Sequence, residues 1–167
     1  MPLVAPGRAN EINTDPRASI LQANWFASLA VMFRNATVPA EAFDFHLHYF
    51  EWTWLLFALL GQGKRVHYDE AMTYWRNADN PLSASRSAQY FAVYPEFLRE
   101  LGRLPMPEVH RRAIESKYQT ALNTLSNEAL QGGELGRAWQ LHWQCLLGGG
   151  WRYAPYTRHL IRQSLCR

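Results

Sequence analysis

The fold turns on Tyr49-Phe50-Glu51-Trp52-Thr53-Trp54-Leu55-Leu56-Phe57-Ala58-Leu59-Leu60-Gly61. Trp52 to Leu60 is strongly apolar and reads as a helix. Gly61-Gln62-Gly63 stops it, because glycine supplies the left-handed conformation that closes a helix C-terminus. Downstream, Lys64-Arg65-Val66-His67-Tyr68 and Ala71-Met72-Thr73-Tyr74-Trp75-Arg76 read as strands separated by Asp69-Glu70. Upstream, Ala27 to Arg34 reads as a buried strand, and Pro39-Ala40-Glu41-Ala42-Phe43 as a short turn of helix.

Further out the patterns change. Residues 1–23 carry Pro, Gly, Asn and Asp without periodicity and read as an irregular lead-in. From Ala84 the pattern is helical, with a cap at Ser83 and a bend or break expected at Pro95. Pro107 opens a long helix that ends at Gly132-Gly133. A second helix carries Leu135, Ala138, Trp139, His142, Cys145 and Leu146 and ends at Gly148-Gly149-Gly150, and a third follows Pro155. The pair around Gly132-Gly133 resembles one tetratricopeptide-like hairpin without a second copy at a fixed period. The expected fold is α+β and predominantly helical: short strands beside an apolar helix in residues 24–82, then a helical bundle or hairpin in 83–167.

Composition narrows the function. With 48% hydrophobic and 14% aromatic residues among 167, the chain can bury a core. The net charge of +3 comes from basic residues read as scattered, which argues against nucleic acid as the ligand. Cys145 and Cys166 match no metal spacing and read as free thiols in a reducing compartment. Met1 to Asn10 lacks the basic-then-apolar run of a secretory signal. No apolar run approaches the roughly 20 residues that span a bilayer. The expected location is cytoplasmic, with room for a peripheral place on the inner face of a membrane.

The order of an acidic-Trp step at Glu51-Trp52, an apolar helix and a strand ending in Tyr74-Trp75-Arg76 resembles the second half of a family-two, GT-A type glycosyltransferase. The likeness runs from about Asn24 to about Ser85. It implies an inverting transfer of a sugar from a nucleotide donor to a glycan or lipid-linked acceptor. Glu51 would be the base that deprotonates the acceptor hydroxyl. Arg76 would bind the diphosphate through paired charge-assisted hydrogen bonds, and Trp52 and Trp54 would floor the acceptor pocket. The chain departs from the pattern at three places: Glu51 stands where Asp is usual, Phe50 where a second acidic residue is usual, and Ala78 where His is common. No Asp-x-Asp occurs, so the divalent metal (Mn or Mg) and the nucleotide site belong to the complete enzyme and not to this chain. The chain alone is then expected to be inactive, and apolar surface at Ala27 to Arg34 and at Trp52-Trp54 would favour self-association.

Each candidate has a plainer reading. Glu51 complements the exposed N–H groups of a helix start, Arg76 forms an ordinary salt bridge, and Trp52 and Trp54 are core. Arg34 is read as structural. His46-x-His48 with Asp44 and Glu51 lacks the spacing of a metal site, and no metal ligand is assigned. Trp139, Trp143 and Trp151 are read as packing residues of the helical tail. The alternative to a glycosyltransferase part is a non-catalytic helical protein-protein interaction module.

Overall fold

The computed structural model describes residues 7–22, 25–26, 32, 38, 43, 45–47, 49–69 and 88–165. Their secondary structure is helical, with no strand among the described residues. The chain divides into two compact units: Met1–Arg86 with Arg103–His110, and Ser87–Gly102 with Arg111–Arg167.

The first unit holds α1 (Ala9–Thr14), α2 (Pro16–Gln22) and α3 (Glu51–Gly61). Residues 9–22 are thus not the irregular lead-in expected from their Pro, Asn and Asp. Those residues are helix-end devices instead. Pro16 takes the first position of α2, where a missing N–H costs nothing, and the Asp15 carboxylate accepts from the Ala18 N–H at 3.0 Å. In α3, Leu55, Leu56, Phe57 and Leu59 are buried, and the 0% exposure of Leu56 and Phe57 shows cover on their whole surface. Fully burying each such side chain contributes about 1.5–3 kcal/mol. The helix ends as its glycines indicate: Gly63 is left-handed at φ 73°, and the Lys64 N–H reaches back to the Leu59 carbonyl at 3.0 Å.

Lys64 to Tyr68 is irregular, in contrast to the strand expected from its alternation. The reason is visible at Tyr68. The Asn13 side chain donates to the Tyr68 carbonyl at 3.0 Å and accepts from its N–H at 2.6 Å, so one amide from α1 satisfies both backbone groups that a neighbouring strand would have used. The strand expected at Ala71 to Arg76 lies outside the described residues, as do most of the turn at Pro39 to Phe43 and all of the buried strand expected at Ala27 to Arg34 except Met32, which is irregular and 82% exposed.

The second unit holds α4 (Ala88–Leu101), most of α5 (Glu108–Gln131), α6 (Leu135–Leu147), a single 3-10 turn at Trp151–Tyr153 and α7 (Tyr156–Leu165). Helix α4 runs without interruption through Pro95, so of the expected bend or break the break is absent. The rings of Tyr90, Tyr94 and Phe97 stack at 5.9 and 6.2 Å across the proline, so packing on both sides of it holds one helix. Gly132-Gly133 and Gly148-Gly149-Gly150 end α5 and α6 where expected. In both, a backbone N–H reaches back to close the last turn: Glu134 to the Ala129 carbonyl at 2.8 Å, and Gly150 to the Cys145 carbonyl at 2.9 Å. Ala129, Leu130, Ala138 and Leu160 bring α5, α6 and α7 into one core, with Leu135, Trp139, Leu141 and Tyr156 packed against it.

Candidate functional site

Glu51 is the first residue of α3, and its carboxylate stands in the first turn, where the helix N–H groups favour negative charge. The entry is tight: Tyr49 is held at φ 81°, a left-handed conformation uncommon for a bulky residue, and Phe50 precedes the helix fully buried. The two tryptophans behind Glu51 are half-buried and engaged. Trp52 lies 6.3 Å from the Phe26 ring, and Trp54 stacks on Phe45 at 4.5 Å and 11°. Arg76, which the resemblance sets beside Glu51, lies outside the described residues, as do Arg34, Asp44 and His48. Among the described residues no three His, Cys, Asp or Glu side chains converge as metal ligands.

A pairing missed in the sequence stands in the same unit. His110 is largely buried, and its Nε2 lies 3.0 and 2.9 Å from the two carboxylate oxygens of Asp15. Burial alone would raise the Asp15 pKa. The Ala18 N–H and the His110 ring outweigh it and hold the carboxyl below its usual range. The separation of 95 residues explains why no sequence pattern marks this contact.

The interior of the second unit is polar at chosen points, and side chains tie its helices together. Ser126 of α5 donates to the Ala138 carbonyl at 2.7 Å, and Gln119 donates to the Gly148 carbonyl at 2.8 Å. His142, fully buried on α6, meets Thr157 of α7 at 2.7 Å, and burial lowers its pKa. Cys145 is a free buried thiol directed at the Gln119 carbonyl, and burial raises its pKa. Arg152 donates to the Ser116 carbonyl at 2.7 Å and to Thr120 at 2.8 Å, which fastens the 3-10 turn to α5. Trp139 donates from its indole to Ser164 at 3.1 Å.

On this tied scaffold the outer face is unexpectedly apolar. Trp143 is 51% exposed, Leu147 83%, Trp151 68% and Leu165 81%. Only Trp139 of the three tail tryptophans packs as expected. Trp143 stacks on it at 6.1 Å but turns half its surface outward, and Trp151 stands out on the 3-10 turn. Trp139, Trp143 and Leu147 recur four residues apart and so form one stripe along α6; Ile161 and Leu165 do the same on α7, beside Arg158 and Arg162. The signal for this face was in the charges. All 14 acidic residues of the chain precede Leu135, whereas Arg137, Arg152, Arg158, Arg162 and Arg167 follow it. It is the acidic residues that are segregated; the basic ones run along the whole chain.

No family model, curated protein or solved structure matches the chain.

Proposed function

We propose that this chain is a non-catalytic helical interaction module whose working surface is the outer face of α6 and α7. The observation that carries this reading is the set of large apolar side chains, Trp143, Leu147, Trp151 and Leu165, left open on a unit whose α5 and α6 ends are closed by backbone hydrogen bonds and whose helices are tied together through Ser126 and His142. Patches of this kind mark binding sites on soluble domains. Binding also suits the described side chains: the buried His142 meets Thr157 through Nε2 and the Cys145 thiol is directed at the Gln119 carbonyl, so both tie the helices together. A photo-crosslinking residue at Leu147 of the full chain is expected to form adducts with a partner, and one at exposed Glu115 of α5 is not. Equal labelling from both positions would overturn the reading.

A second reading rests on one specific observation: Glu51 opens the apolar helix α3, the position at which the family resemblance needs a base. In that reading the chain is the acceptor-side part of a glycosyltransferase. Glu51 takes the acceptor proton, Arg76, Trp52 and Trp54 bind substrate, and the nucleotide sugar and divalent metal are held by the rest of the enzyme. Trp52 and Trp54 weigh against it, since Phe26 and Phe45 already occupy part of their faces. Calorimetry of the chain with uridine and guanosine diphosphate sugars plus manganese is expected to be silent, and micromolar binding would revive this reading over the first.

A further inference from the structure

We infer that the outer face of α6 and α7 is a docking site for an anionic lipid surface, an inference that rests on the interaction-module reading and names its partner. Three observations point to that chemistry. The apolar part of the face is mixed: Trp143 and Trp151 carry flat amphipathic rings, while Leu147, Ile161 and Leu165 are purely aliphatic and exposed. Aliphatic side chains neither stack on bases nor bond phosphates, so a nucleic acid would leave them unused. Acyl chains would bury them, with the indoles at headgroup depth.

The second observation is charge. Arg158 and Arg162 lie one turn apart on α7, both exposed, next to Ile161, and neither forms an ion pair among the described residues. No Asp or Glu occurs after Glu134. Two helices, α6 and α7, that carry arginines and no Asp or Glu are complementary to a sheet of anionic headgroups, whose potential acts over about 10 Å in physiological salt. Arginine also keeps its guanidinium at phosphate level while its stem follows apolar surface inward.

The third observation sets the depth. No described helix is long and apolar enough to cross a membrane, and α6 and α7 each bury their opposite face in the protein core through Ala138, His142, Leu146 and Leu160. The contact is therefore a shallow one made by two helix faces and the turn between them. It places the chain on the surface of a membrane, with the helices lying in the interface.

The test is partitioning of the full chain onto vesicles by flotation. Vesicles of phosphatidylcholine made roughly one-third phosphatidylglycerol are expected to bind it at least about tenfold better than pure phosphatidylcholine, with the difference shrinking as salt rises. Arg158→Gln/Arg162→Gln should lower partitioning onto the anionic vesicles by about thirtyfold, the scale for two basic residues at such a surface. Leu147→Ser/Leu165→Ser should lower it by at least about fivefold through the lost apolar burial. Arg99→Gln on α4 removes one charge elsewhere and should change it less than about twofold. Circular dichroism confirms that each variant is folded. Binding to both vesicle types alike, no binding to either, or an Arg99→Gln loss equal to that of the α7 variant would overturn the inference. So would heparin binding that responds to the same arginines without vesicle binding. If vesicles fail while the Leu147 crosslinker still captures a protein, the module reading stands and the lipid assignment falls. If both fail, both fall.

Discussion

Asp15 serves three structures at once: it follows the last residue of α1, caps α2 through the Ala18 N–H, and holds the buried His110 ring. Asp15→Ala removes a helix cap and leaves an imidazole without its carboxylate, each worth about 1 kcal/mol or more, so urea denaturation should show a loss of about 2 kcal/mol. A loss under about 0.5 kcal/mol, the scale of an unremarkable surface change, would mean that the His110 contact contributes nothing. His142 gives a pH test. Burial holds its folded pKa below the ordinary 6.5. The unfolded chain therefore takes up a proton at a pH where the folded chain does not. The stability tied to this residue is whole above about 6.5 and is lost progressively as pH falls beneath it. Unfolding midpoints at pH 7.5 and 5.5 should differ more for the wild type than for His142→Gln, which cannot take up that proton; equal differences would show that His142 is not the group responsible. Neither histidine's partner was legible from sequence, because Asp15 and Thr157 are ordinary cap and helix residues until the chain folds them alongside.

At the scale of elements, the glycine punctuation carries its information locally. Gly149 sits at φ 89°, where any side chain is strained, and a Cβ on Gly150 would meet Cys145 Sγ at 2.5 Å and the Cys145 carbonyl oxygen at 2.7 Å. Gly149→Ala should cost about 1 kcal/mol from backbone strain alone. Gly150→Ala should cost more, about 2–3 kcal/mol, since a backbone oxygen cannot move aside. If thermal melts rank the two in the opposite order, the close approach of Gly150 to the α6 end is not what closes that turn. Helix α7 offers a second comparison. Leu160 is 0% exposed and Leu165 81%. Leu160→Ala should cost about 2–5 kcal/mol and Leu165→Ala less than about 0.5 kcal/mol, as read by denaturant midpoints. Of the bend or break expected at Pro95, the break is absent for an informative reason: propensity is a local quantity, and the aromatic stack from Tyr90 to Phe97 holds both sides of the proline in one helix.

At the scale of the whole molecule, the far-ultraviolet circular dichroism of the full chain should be dominated by paired helical minima; a spectrum with a single β-type minimum would contradict the helical architecture of both units. Several features of that architecture follow from the sequence by itself. The apolar run of α3 has to be buried, Pro107 and Pro155 stand just before helices, and the glycines at 63, 133 and 149 end helices, because each depends on steric and solvation effects within a few residues. Other features were decided only by tertiary structure. Lys64 to Tyr68 alternates as a strand would, but alternation needs a neighbour to pair with, and Asn13, 55 residues from Tyr68, takes up the backbone groups instead. The tail tryptophans likewise have an apolar character that fits core and surface equally. Trp139 became core and Trp143 and Trp151 became surface only when α5 and α7 covered one side of α6 and left the other open. Local chemistry determines where a helix starts and stops; which of its faces is covered is a property of its neighbours.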